Sequence, residues 1–175
     1  FEREVQATAA LTHPNTVTIY DYGRTDDGQF YYVMEYLSGV DLERMVKVTG
    51  PTPARRAIYL MRGVCEALAE AHAAGLVHRD VKPANLMVCH ERAIPDFVKV
   101  LDFGLVKVDA SAEAGERLST TNMVIGTPDY IAPEAVMTPD RVTAAADLYA
   151  VGCVLYWLVT GKTLFTSNNA MGLMM

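Results

Sequence analysis

The stretch His78-Arg79-Asp80-Val81-Lys82-Pro83-Ala84-Asn85 decides how this chain of 175 residues reads, and Asp102-Phe103-Gly104 and Ala132-Pro133-Glu134 follow it in order. One loop-sized segment thus carries a carboxylate, an ammonium and a neutral amide. Asp80 suits the work of a general base, orienting a hydroxyl and taking its proton. Lys82 can bring positive charge to a developing negative one. Asn85 and Asp102 offer hard oxygen atoms of the kind that hold a small divalent cation. Gly104 permits the backbone turn that follows Asp102-Phe103.

Working outward, Thr52 is expected to cap a long helix with Pro53 at its first position. Ala57, Leu60, Met61, Val64, Leu68 and Ala71 recur along it at helical spacing, and Gly75 ends it. Farther back, residues 1–11 read as a helix stopped by His13-Pro14-Asn15. Val17 to Tyr22 and Gln29 to Tyr36 are β-branched and aromatic, and Thr25-Asp26-Asp27-Gly28 turns one into the other as a hairpin. Ser38-Gly39 breaks the pattern like a hinge. After the central stretch, Leu86 to Val88 and Val98 to Leu101 read as short strands flanking a loop with Pro95. Residues 107–122 are polar and aperiodic, which predicts a mobile loop. Thr143 caps a last helix that Gly161 ends. Its apolar run, Leu148 to Leu158, is shorter than the roughly 20 residues that span a bilayer and is expected to be the buried centre of a globular lobe.

The net charge of −6 and the lack of a basic run argue against a nucleic-acid surface. Cys65, Cys89 and Cys153 have no metal-ligand spacing and read as free thiols in a reducing compartment, with Cys65 and Cys153 in buried packing. No signal peptide is evident.

Taken together, the three motifs resemble the catalytic loop, metal loop and activation-segment end of the eukaryotic-type serine/threonine protein kinase domain, and Pro95 to Lys107 resembles its bacterial members. The resemblance implies an α+β, two-lobed fold. Residues 1–37 would be part of the small lobe (helix, hairpin and hinge), and 38–175 most of the mainly helical large lobe. It also implies a chain cut at both ends. The phosphate-anchoring lysine and glycine-rich loop would precede Phe1, and the isolated fragment is expected to be inactive.

The implied activity is ATP- and Mg2+-dependent phosphorylation of serine and threonine hydroxyls on protein substrates, with Mn2+ an alternative ion. Asp80 would be the base, Lys82 a neutraliser of charge on the γ-phosphate, and Thr127 a hydrogen-bond partner of both. Lys82 itself resembles the serine/threonine-specific branch. Asn85 and Asp102 would hold magnesium. Glu4 matches the helix glutamate that pairs with the phosphate-anchoring lysine. Met34 would guard the back pocket, the backbone of Glu35 and Leu37 would bind adenine, Met87 and Leu37 would cover its faces, and Asp41 would reach the ribose. His78 and Phe103 resemble an apolar column that aligns the lobes. Gly104 belongs to the metal loop, Glu134 matches a residue that pairs with a later arginine, and Asp147 would hold the catalytic-loop backbone. Arg79, read as a buried-side cation, would meet a phosphate on Ser119, Thr120 or Thr121. Protein substrates, a cytoplasmic setting and dimerisation for trans-autophosphorylation fit this picture, with no nucleic acid and no membrane contact.

Two other readings compete. A pseudokinase scaffold would bind without catalysis, but Asp80, Lys82, Asn85 and Asp102 are all present. A small-molecule phosphotransferase of related fold would carry His-Gly-Asp and lack Ala-Pro-Glu, so Arg79 and Pro133 oppose it.

Overall fold

Helix α3 (Ala54–Ala73) forms along the expected apolar stripe, with Ala57, Leu60, Met61, Val64, Leu68 and Ala71 all buried. The computed structural model describes residues 2–91, 94–103, 128–138 and 141–165, with the backbone alone for residues 2–4, 91 and 128. Gly104, the 107–122 loop with Ser119, Thr120 and Thr121, and Thr127 lie outside the described residues.

The start of α3 differs from expectation. Pro53, not Thr52, occupies the N-cap, in an extended conformation (ψ 138°) with no side-chain cap. Thr52 is drawn away instead, because its amide donates to Leu158 O (2.7 Å). Its Oγ1 is buried without a hydrogen-bond partner. Gly75, at φ 78°, supplies the left-handed turn past the helix end.

The helix that receives Thr52 is α5 (Ala144–Thr160), which packs along α3. Thr143 Oγ1 accepts from Ala145 N, and Gly161 closes the helix in the left-handed region at φ 71°. The apolar run is buried on one face only. Ala150, Val151, Val154 and Leu158 face the core, whereas Leu148 and Tyr156 are exposed. Spacing explains this: positions four and eight apart fall on the stripe opposite the one that meets α3.

Helix α1 (Glu2–Ala9) ends two residues earlier than predicted, closed by Ala10 N to Ala7 O and Leu11 N to Thr8 O. The hairpin is present, with its first strand beginning and ending later than expected and its second trimmed at both ends. Strand β1 (Ile19–Arg24) pairs antiparallel with β2 (Phe30–Met34), and Gly28 turns at φ 85°. A register irregularity between Ile19 and Asp21 brackets the exposed Tyr20.

A second sheet has the order β3-β4-β5, built from Gly39–Asp41, Leu86–Glu91 and Ile94–Val100, all antiparallel. Pro95 lies inside β5 rather than in a loop. The strand tolerates it because β5 is an edge of the sheet, where a missing N–H breaks no ladder. Gly39 is needed on β3, since a Cβ there would stand 2.3 Å from Val88 O. Helix α2 (Leu42–Thr49) was not anticipated. Leu42, Met45 and Val46 bury its inner face, and Asp41 Oδ1 caps it by accepting from Arg44 N (2.7 Å).

The remaining described helix is α4 (Pro133–Met137), preceded by a 3-10 turn at Pro128–Tyr130. The core joins α2, α3, α5 and the β4–β5 strands to Val81 and Phe103. Of the cysteines, Cys153 is buried as expected, Cys65 is only half-buried though packed against the core, and Cys89 is buried as well. Among the described residues, no helix is long and apolar enough to cross a membrane.

Candidate active site

Asp147 organises the loop that carries the site. It sits in the first turn of α5, is 1 % exposed, and accepts two amides of the central stretch: His78 N at Oδ2 and Arg79 N at Oδ1, both 2.8 Å. His72, in the last turn of α3, brings Nε2 within 2.7 Å of the same Oδ2. Held this way, Arg79 adopts φ 66°, a left-handed conformation that costs an L residue about 1–2 kcal/mol. Arg79 is exposed, not the buried-side cation expected, because its backbone rather than its side chain is what faces Asp147.

His78 is fully buried and packs against Phe103, ring centroids 4.6 Å apart. Its Nε2 lies 2.8 Å from Leu101 O, and its Nδ1 accepts from Asp80 N (3.3 Å). That pattern assigns the proton to Nε2 and a neutral ring. Burial pushes the His78 pKa down, against the pull of the Asp147 charge.

Asp80 stands at the end of this scaffold. Its Oδ2 accepts from Lys82 Nζ (2.7 Å) and Asn85 Nδ2 (2.9 Å), while Asn85 Nδ2 also reaches Asp80 O (2.9 Å). Asp80 Oδ1 and Asn85 Oδ1 take no hydrogen bond among the described residues. Asp80 and Lys82 are about a quarter exposed, so a substrate group can reach them. The Pro83–Asn85 3-10 turn fixes Asn85, and Leu101 N donates to Asn85 O (2.9 Å), which ties the Asp102 segment to the 78–85 stretch.

Asp102 also lies in the left-handed region, at φ 52°. Its Oδ1 accepts from Tyr32 OH at 2.9 Å. Burial first, and then the Asp102 charge, push the Tyr32 phenol up to about 12, so it remains a donor. Among the described residues no group of three His, Cys, Asp or Glu side chains gathers for a metal. One carboxylate with one amide oxygen nonetheless suits a small divalent cation that keeps waters and shares phosphate oxygens.

Of the predicted nucleotide residues, Met34, Asp41 and Met87 fall on β2, β3 and β4, while Glu35 and Leu37 lie in the link between β2 and β3. Met34 is exposed at the end of β2, and Leu37 and Met87 are half-buried. Asp41 and Met87 are direct partners across the β3–β4 ladder. Glu35 N donates to Thr18 O, while Glu35 O and Leu37 N make no backbone hydrogen bond among the described residues. Glu4 falls in α1, its side chain outside the described set. Glu134 is half-buried in the first turn of α4 and makes no ion pair among the described residues.

Three residues here escaped the sequence reading: Tyr32, His72 and Lys99. Lys99 is buried in β5, with Nζ 2.6 Å from Glu35 Oε1. Burial would raise the Glu35 pKa, but the Lys99 ammonium and the Thr18 amide outweigh it and hold the carboxyl below its usual range. A signal was available only for Tyr32, in the inward phase of its strand; Lys99, a charge between two inward valines, reads as the solvent face of an alternating strand. His72 carried none.

A cavity of about 450 Å³ opens beside Lys82. Val46, Pro83, Ala84, Tyr130 and Trp157 line it, with Asp129 among the charged residues at its wall.

A buried aspartate thus grips the His-Arg-Asp loop, an Asp-Lys-Asn cluster stands at its end, and a left-handed aspartate precedes Phe103. The sequence profile of the protein kinase domain matches residues 1–174, and the chain belongs to that family. It is 42 % identical over 172 residues to the serine/threonine-protein kinase pkn3 of Myxococcus xanthus, covering 98 % of this chain and 31 % of that protein. PknB of Mycobacterium tuberculosis is 44 % identical across 97 % of this chain and 26 % of its own length. PrkC of Bacillus subtilis is 38 % identical across 99 % and 25 %. Among solved structures, Rad53 1-466 in complex with AMP-PNP superposes with a TM-score of 0.78 at 28 % identity, over 99 % of this chain and 41 % of that one. The chain spans about a quarter to a third of the curated relatives it matches.

Proposed function

We propose that this chain carries catalytic machinery for transferring the γ-phosphoryl group of ATP to serine and threonine hydroxyls of proteins. The observation that carries the proposal is the Asp80–Lys82–Asn85 cluster at 2.7 and 2.9 Å. Asp80 Oδ1 would receive the hydroxyl proton as the new oxygen–phosphorus bond forms and the bond to the leaving diphosphate breaks. Lys82 would shift from Asp80 toward the transferring group, keeping one positive charge at the site throughout. Asn85 Oδ1 and the free oxygen of Asp102 would hold magnesium, which supplies charge neutralisation on the phosphates when bound. Residues 1–37 would form the small-lobe side of the nucleotide site, with Glu35 O and Leu37 N facing adenine. The cavity beside Lys82 would receive the substrate chain on the other side, which supports a protein acceptor. The kinase names of the bacterial relatives support the same class.

The test is transfer of label from γ-labelled ATP to a mixed protein acceptor by the intact protein with magnesium. Acid hydrolysis should yield phosphoserine and phosphothreonine. Absence of transfer overturns the activity, and phosphotyrosine alone overturns the acceptor class.

A further inference from the structure

Tyr32 occupies the inward phase of β2, half-buried between the exposed Tyr31 and Val33. Packing alone would be served by phenylalanine, yet the hydroxyl is present and reaches a carboxylate 70 positions away. We propose that Tyr32 is a positioning residue for the divalent cation, its hydroxyl fixing the Asp102 carboxylate through Oδ1 so that Oδ2 stays available to the metal. The inference rests on the function proposed above, in which Asp102 is the charged metal ligand.

Two observations give the contact its weight. Asp102 is held at φ 52°, a backbone conformation that persists only where its surroundings hold it, and the Tyr32 hydrogen bond is one such hold on its side chain. The same strand reaches the Asp102 segment at a second point, since Glu35, just past β2, pairs with Lys99 three residues before Asp102. The strand that leads to the adenine-facing backbone therefore also sets the metal ligand. Nucleotide and cation should report on each other through it, and coupling of that kind is reciprocal.

Groups that orient a metal ligand typically contribute about 10- to 100-fold to metal affinity. In the intact protein, binding of a non-hydrolysable ATP analogue is measured calorimetrically across a magnesium series, and again with the cation chelated. Tyr32→Phe should raise the magnesium concentration for half-maximal tightening about 10-fold, with magnesium-free nucleotide affinity unchanged. Tyr32→His, which keeps a donor, should recover part of the loss and stands in should the Phe variant not fold. Tyr32→Phe added to Asp102→Asn should cost nothing beyond Asp102→Asn alone. An unaltered magnesium requirement in Tyr32→Phe overturns the inference. So does an equal loss with and without magnesium, which would mark a packing role. A wild-type protein whose nucleotide binding ignores magnesium overturns it together with the proposed function, whereas normal wild-type behaviour beside an unchanged variant overturns the inference alone.

Discussion

His78 offers Nε2–H to Leu101 O and accepts the Asp80 amide at Nδ1, so its hydrogen bonds require the neutral ring. Protonation would turn Nδ1 into a donor facing a donor, directly behind the Asp80 backbone. The unfolded chain binds this proton with a pKa near 6.5, and burial puts the folded value lower. As pH falls below 6.5 the unfolded state protonates first, so stability present above that pH is lost toward the folded pKa. Between pH 7.5 and 5, chemical denaturation should therefore show stability falling with acid. His78→Phe should be less stable at pH 7.5 but show a shallower decline, since it removes this one proton. Equal slopes in the two proteins would mean that His78 is not the titrating group.

At the scale of elements, the join between the hairpin side and β5 depends on few contacts. Asn15 Nδ2 donates to Val98 O (2.6 Å), Val17 N donates to Val100 O (3.0 Å), and the Lys99–Glu35 pair closes the row at 2.6 Å. Breaking a buried pair from one side leaves a charge without its partner, at a cost of about 3 kcal/mol or more. Lys99→Met should lower the unfolding free energy by about that amount, and adding Glu35→Gln should restore a good part of it. A single variant as stable as wild type would remove the pair from this role. The sequence signalled the elements well where periodicity was strong. The stripe of α3, the caps of α5 at Thr143 and Gly161, and the turn ending in Gly28 were all legible. It missed α2, because eight residues with three inward positions give too short a period to stand out. It misplaced Pro95 because proline is admitted to edge strands, and which strand is the edge is set by the tertiary fold. Lys99 was passed over because its partner lies 64 residues away.

In the whole molecule, α3 and α5 form a packed base from which Asp147 and His72 hold the loop that carries Asp80 and buries His78 and Val81. The three motifs were legible because they set chemically distinctive side chains at fixed offsets along the chain. The supports were not, since a fork from Asp147 to two amides 68 and 69 positions away follows from the fold alone. Scaffold and proposed chemistry part at Asp80, whose side chain hydrogen-bonds only Lys82 and Asn85 among the described residues. Asp80→Asn keeps the shape and an acceptor oxygen but cannot take a proton. The measurement that tests the central claim most directly compares this variant with wild type in the intact protein, reading kcat for phosphorylation of a protein acceptor beside the Kd for magnesium-ATP. The account predicts kcat lower by about 10²-fold or more with Kd essentially unchanged, whereas near-normal turnover by Asp80→Asn would contradict it.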